Sequence, residues 1–270
     1  MSFIKNHLGE LRHAIHLMTG DRRSREWRAP SKNLHRFKDI HKGQSCFIIG
    51  NGPSLNAINL DSLIGIPTLA SNKIYLIYDK TSWRPTYHFA SDPYVIEQSL
   101  PNFLTLESTF FLSYLDTKNR IYRENFNYIW IGGEIFFNGK DLTNKVCGGS
   151  TVTYVALQTA FYMGFQEVYL VGMDHSYKQK GAPGEVEKME GEDSNHFHPD
   201  YFKGQTWCSP ILDIVEMCFT LAKHYYERDG RKIFNATVGG RLEIFERIDF
   251  DTALNRVKKA NDIPLDAQHV

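Results

Sequence analysis

From residue 43 onward, short apolar and β-branched runs alternate with longer stretches of helical period. Ser45–Ile49, Pro67–Ala70, Thr86–Ala90, Thr109–Leu112, Tyr128–Ile131, Glu167–Val171 and Lys232–Asn235 read as strands. Thr151–Met163 and Ile211–Arg228 read as helices, and Gly164 is placed to stop the first, because glycine tolerates the left-handed backbone beyond a helix C-terminus. Strands alternating with helices predict an α/β domain with a mostly parallel sheet and helices on both faces. Residues 178–206 break the pattern: Gly, Lys, Glu, Asp and Asn dominate, with Pro183 and Pro199. A polar segment of that length inside a compact domain is expected to be a functional lid or a disordered loop.

Composition narrows the class. A chain of 270 residues suits one large domain, or one domain with an appendage. An apolar share of 42% with 13% aromatics can build a sizeable core, which excludes wholesale disorder and fibrous architectures. Lys plus Arg equals Asp plus Glu at 31 each, which argues against a polyanion binder. Cys46, Cys147, Cys208 and Cys218 are widely spread with no CxxC pair, so they read as reduced thiols, neither a disulfide framework nor a zinc site. No apolar run approaches the ~18 residues of a membrane span, and the opening residues carry no secretory hydrophobic stretch. The expectation is a cytoplasmic protein.

The charge is unevenly placed. Residues 1–42 hold ten Lys or Arg against four acids, a net of +6, so residues 43–270 carry −6. Ile4, Leu8, Leu11, Ile15 and Met18 recur there at helical spacing, with Lys5, Arg12 and His16 between them. This basic segment reads either as an amphipathic helix lying on an anionic membrane surface or partner, or as a helix packed on the main domain and followed by a solvated linker. The chain thus divides into residues 1–42 and a domain over 43–270. Trp27 sits among arginines, but no recognisable nucleic-acid motif accompanies it, and nucleic acid is not an expected partner.

The strand ends carry the candidate chemistry. The first strand runs into Gly50-Asn51-Gly52-Pro53-Ser54, a Gly-containing turn ahead of an expected helix, suited to a ligand's phosphate or ribose. It is not the dinucleotide fingerprint, because the third glycine is missing and Pro53 lacks an N–H. Later strands end in Ser71-Asn72-Lys73, Ser91-Asp92-Pro93, Gly172-Met173-Asp174-His175 and Asn235-Ala236-Thr237. In open α/β sheets that edge binds ligands. Gly148-Gly149-Ser150-Thr151 before a long helix makes an N-cap with exposed amides, suited to an anion or to simple capping.

These blocks, with GFQEVYLVGMDHSY, closely resemble bacterial CMP-sialic acid-dependent sialyltransferases. They are still more similar to the related Maf-type proteins of flagellin and surface-glycan glycosylation, a superfamily often labelled 6-hydroxymethylpterin diphosphokinase MptE-like. The resemblance spans about residues 44–250. It implies a Rossmann-like fold, a sialyltransferase-like variant of the GT-A type. It places Asn51 and Gly52 on the ribose and phosphate of a cytidine nucleotide, and Asn72 on the donor. Ser150 or Thr151 falls where a donor-contacting serine stands. Tyr177 and Tyr201 match tyrosines that stabilise the departing phosphate, and Asn195-His196-Phe197-His198 lies where a lid histidine acts as general base. Asp92 departs from the pattern, which has Asn there; a carboxylate near a phosphate needs a hydroxyl or a cation beside it.

The chemistry is consistent with those roles. Glycosyl transfer needs a base for an acceptor hydroxyl, which a histidine supplies, and charge stabilisation on a leaving phosphate, which tyrosines, amides and a helix N-terminus supply without a metal. His196-x-His198-x-Asp200 also has ligand-like spacing, and Asp249-x-Asp251 resembles the DxD of metal-dependent glycosyltransferases, although it reads better as a surface turn. The sequence therefore predicts transfer of a sialic-acid-like sugar from a CMP-activated donor to a glycan, lipid-linked or protein acceptor, with no cofactor. Residues 1–42 would make peripheral contact with the inner face of the membrane, and a homo-oligomer is compatible with the sequence. Two alternatives stand: a Mg²⁺-ATP-dependent hydroxymethylpterin diphosphokinase with Asp92 and Asp174 on the metal, and a non-catalytic nucleotide-sugar-binding protein.

Overall fold

A computed structural model describes Trp27 and residues 30–117, 120–178 and 181–263. In chain order its strands are β1 (Ser45–Ile49), β2 (Thr68–Ser71), β3 (Tyr87–Ala90), β4 (Thr109–Ser113), β5 (Phe126–Ile129), β6 (Ile131–Gly132), β7 (Val146–Cys147), β8 (Glu167–Val171), β9 (Val186–Lys188), β10 (Thr206–Cys208), β11 (Lys232–Asn235) and β12 (Glu246–Arg247). The longer helices are α1 (Pro93–Phe103), α2 (Val152–Tyr162), α3 (Leu212–Arg228) and α4 (Phe250–Ala260). Eight strands form one Rossmann-like sheet in the order β12-β11-β8-β1-β2-β3-β4-β5, and every pair in it is parallel.

The strands have no polar face because both faces are covered. All five residues of β1 are buried. On one face Phe47, Tyr169 and Phe234 stand side by side in register, and Phe250 of α4 packs on Phe47 at 5.8 Å. Helix α2 packs against β1, β2 and β3 and against α3, and ten of its eleven residues are buried, which explains why its sequence shows little amphipathic contrast. Gly164 does stop α2, at φ +91°.

Two helices lie outside those that the sequence pattern predicts. Asp92 caps α1, accepting from the amides of Tyr94 and Val95 at 2.7 and 3.0 Å, with Pro93 in the first turn. Asp249 caps α4, accepting from Thr252 N at 2.8 Å, and Asp251 falls in its first turn; the Asp249-x-Asp251 pair is thus a helix start, not a metal motif. The four cysteines are free.

Part of the basic segment belongs to the core. Leu34 and Phe37 are buried, Phe37 lies 4.9 Å from Phe111, and the amides of Asp39 and His41 donate to the carbonyls of Tyr162 and Met163. Residues 30–42 are therefore packed, not a solvated linker. Trp27 is buried against Tyr114 and Trp130, with its indole N–H on Thr143 O at 3.2 Å. The amphipathic stretch over residues 4–18 lies outside the described residues. Among the described residues no helix is long and apolar enough to cross a membrane.

Candidate functional site

Strand β1 has β2 on one side and β8 on the other, so the chain order reverses there, and a crevice opens beyond the carboxyl ends of β1 and β8. The β1–β8 ladder continues past both strands: Gly50 N donates to Val171 O at 2.8 Å and Gly52 N to Gly172 O at 2.9 Å. Asp174 locks the turn, with Oδ2 accepting from the Ser54 hydroxyl at 2.6 Å and Oδ1 from the Ser54 amide at 3.2 Å. A Cβ on Gly52 would lie 1.9 Å from Asp174 Oδ2, so any side chain there would displace the Asp174 carboxylate. Pro53–Ala57 is a five-residue 3-10 helix, not the α-helix expected, and is too short to make the phosphate site that a long helix N-terminus would.

The crevice holds a cavity of about 350 Å³. Gly50, Asn51 and Gly52 line it from β1, and Asn72 from β2. Ser91 and Asp92 reach it from β3, Ser150 and Thr151 from the start of α2. Asp174, His175 and Tyr177 line it beyond β8, and His196 closes it from the segment over 178–206. Among the described residues no Lys or Arg lines it; the charged or titratable side chains there are Asp92, Asp174, His175, Tyr177, His196 and Cys208.

Several of these residues have structural duties that explain them. Thr151 caps α2, accepting from Thr153 N at 3.3 Å, and the Ser150 hydroxyl accepts from Ile211 N at 3.0 Å, tying α2 to α3. Gly149 does not line the cavity: it is left-handed at φ +59°, and a Cβ there would meet the Tyr154 ring at 2.6 Å. His175 Nε2 meets Glu216 Oε1 at 2.9 Å. Asn72, Ser150 and His175 are all non-glycine residues at positive φ, a conformation that costs on the order of 1 kcal/mol each and gathers at functional sites. Burial pushes the Asp92 carboxyl above its ordinary value, against the helix amides that it caps.

Asn51 and Asn72 carry the clearest invitation to a ligand. Asn51 Nδ2 donates to Ser71 Oγ at 3.1 Å, which turns its Oδ1 away. Asn72 is held by its amide on Phe89 O at 2.8 Å and its carbonyl on His88 Nε2 at 2.7 Å. Both Oδ1 atoms are buried without a protein partner. Two orphaned amide acceptors call for ligand donors such as hydroxyl or amino groups.

From residue 181 to 206 the segment is built, not loose. Strands β9 and β10 pair as an antiparallel hairpin, and Phe197, Tyr201, Phe202 and Trp207 are buried beneath the polar surface. Phe197 N donates to Asn51 O at 2.9 Å, and Asn56 Nδ2 to Phe197 O at 2.9 Å, stitching the segment to the turn after β1. His196 Nδ1 meets the buried Asp193 Oδ2 at 2.8 Å, and among the described residues its Nε2 makes no hydrogen bond. Tyr201 lies elsewhere than expected: it does not line the cavity, and its buried hydroxyl accepts from Lys73 N at 3.2 Å. Burial holds that hydroxyl protonated, well above the ordinary tyrosine range. His198 also stands off the cavity, its Nδ1 accepting from Asp200 N at 3.1 Å, and the His-x-His-x-Asp spacing gathers no ligand set. Asn235 is interior, donating to Leu242 O at 2.7 Å and accepting from Thr237 N at 3.0 Å.

The sequence reading missed Asp193 and Lys73. The signal for Asp193 was its place three residues before His196; Lys73 stood in the Ser71-Asn72-Lys73 strand end without being singled out.

Comparison with known families matches residues 24–180 to 6-hydroxymethylpterin diphosphokinase MptE-like. That is more than half of the 270 residues, and the chain belongs to this family. A solved Maf glycosyltransferase from Magnetospirillum magneticum AMB-1 is similar at 14% identity with a TM-score of 0.47, covering 86% of this chain and 41% of that one. This chain thus spans less than half the length of that protein. No curated protein matches the sequence.

Proposed function

We propose that the protein transfers a sialic-acid-like sugar from a CMP-activated donor to a glycan, lipid-linked or protein acceptor. One observation carries the reading: His196, its Nδ1 engaged by buried Asp193 and its Nε2 unbonded among the described residues, lines the same cavity as Asn51 and Asn72. A base must be oriented by a third group and stand within reach of the acceptor hydroxyl. In the proposed step the acceptor oxygen bonds to the anomeric carbon as its proton passes to His196 Nε2. The bond from that carbon to the phosphate oxygen breaks, and the electron pair leaves with CMP. Tyr177 and the positive end of α2, both on the cavity, would stabilise the departing phosphate. The orphaned Asn51 and Asn72 acceptors would take ribose hydroxyls or the cytosine amino group. The motif resemblance supplies the donor class.

The second reading, Mg²⁺-ATP-dependent pyrophosphoryl transfer, is favoured by the family description and by Asp92 and Asp174 on the cavity. Both carboxylates already have structural duties: both Asp174 oxygens accept from Ser54, and Asp92 Oδ1 accepts from the two amides of the helix it caps. Among the described residues, a triphosphate would also find no Lys or Arg lining the cavity.

Thermal-shift measurements with CMP, CDP, CTP and ATP, each with and without Mg²⁺, separate the readings. Metal-independent stabilisation by cytidine nucleotides is expected. Stabilisation only by Mg²⁺-ATP would replace transfer with the diphosphokinase reading, and CMP binding without turnover of any CMP-sugar would favour a binding protein.

A further inference from the structure

The geometry points to Lys73 as a positioning residue whose buried ammonium clamps Tyr201 and, through the Tyr201 ring, sets the place of the His196 imidazole. This rests on the reading of His196 as the base. Lys73 follows Asn72 at the end of β2 and is 2% exposed. A buried ammonium is tolerated only where acceptors surround it. Nζ donates to Tyr201 O at 3.0 Å, to Gln98 Oε1 of α1 at 3.0 Å, and to Gln205 Oε1. It also lies 4.4 Å from the centre of the Phe202 ring. All three ammonium protons are thus used, two of them on the segment that carries the base.

The grip on Tyr201 is double. Its carbonyl takes the ammonium, and its hydroxyl takes the Lys73 amide, so the ring is held from both ends. His196 lies flat on that ring, 4.0 Å between centroids and 5° from parallel, with Phe202 edge-on at 5.2 Å. Asp193 holds the imidazole in its plane; its own Oδ1 accepts from Asn195 N at 2.8 Å, and its amide donates to Pro199 O at 2.7 Å. Stacking fixes the ring's height and Asp193 its rotation. Asn72 faces the cavity one residue before Lys73, so a single stretch of backbone ties a donor-side contact to the base.

The test uses the full chain with Lys73→Met, Gln205→Leu and the unaltered protein, without nucleotide. Two readouts are taken: the ¹⁵N spectrum of the His196 ring and trypsin cleavage after Lys203, which lies between Tyr201 and Gln205. In Lys73→Met, cleavage is expected to rise about tenfold, and the ring signals to move to those of an unrestrained histidine. A merely structural lysine would leave the tautomer of the His196 ring unmoved. A folded Lys73→Met protein with unchanged ring signals and cleavage overturns the clamp. If Lys73→Met does not fold, Gln205→Leu keeps the ammonium with one acceptor fewer and is expected to raise cleavage about threefold; no rise overturns the clamp. CMP stabilisation of the unaltered protein tests the reading of the site separately, because neither readout here involves a nucleotide.

Discussion

Asp174 Oδ2 accepts a 2.6 Å hydrogen bond from Ser54 Oγ, and this contact joins the turn after β1 to the end of β8. Neither residue is near the other in the chain. The pair sets the mouth of the crevice, so its loss acts on stability and on binding together.

Asp174→Asn keeps the shape but turns one acceptor into a donor facing Ser54. A cost of about 1–3 kcal/mol in urea unfolding is expected, from a charge-assisted bond lost and a group left unpaired. Ser54→Ala should cost less, and the double variant should fall short of the sum, because the two share one interaction. Gly52→Ala, whose methyl group would meet Asp174, should abolish CMP stabilisation in the thermal-shift assay.

Asp193→Asn tests the orientation of His196. The amide can still meet Nδ1, but it no longer balances the imidazolium formed when the base takes a proton. A kcat on a CMP-sugar donor lower by about 10²-fold or more is expected, with CMP stabilisation unchanged. Equal loss of both would assign Asp193 to the fold alone.

His88 makes stability depend on acid. It is fully buried on β3, and burial lowers its pKa to about 4 from 6.5, with Asn72 O as the opposing partner. The unfolded chain therefore binds a proton more readily between pH 6.5 and about 4, so stability falls as pH drops through that window. The shift corresponds to at most about 3 kcal/mol. His88→Gln, which does not titrate, should flatten that part of the curve when unfolding is measured at pH 7, 5.5 and 4.5.

Asp249→Ala should cost about 1 kcal/mol of stability, the ordinary worth of an N-cap. CMP stabilisation and donor turnover should not change. A loss of activity out of proportion to stability would return the Asp249-x-Asp251 pair to the chemistry.

The elements legible in the sequence are those made by local pattern. β1, β8 and β11 have the expected bounds, and α2 and α3 lie within one residue of theirs, because an apolar run or a helical period is a property of neighbours. α1 and α4 were missed for a related reason. Their caps hid them: Asp92 reads as site chemistry at the end of β3 yet also caps α1, and Asp249-x-Asp251 reads as a surface turn yet starts α4. The β9–β10 hairpin was masked by charge on its outer face, while Phe197, Tyr201, Phe202 and Trp207 supplied the buried side.

The gathering of strand ends followed from the chain alone: in a parallel sheet every carboxyl end lies on one edge, so the polar turns after β1, β2, β3 and β8 had to be neighbours. Which side chains face the cavity was settled only in three dimensions. Asn72 and Asn235 end comparable strands, yet one lines the cavity and the other bonds Leu242 in the interior. The partnerships of His196 with Tyr201, and of Tyr201 with Lys73 at a distance of 128 residues, likewise depend on how the segment folds back over the sheet. Strand and helix come from interactions a few residues apart, whereas a side chain's direction depends on every element packed around it.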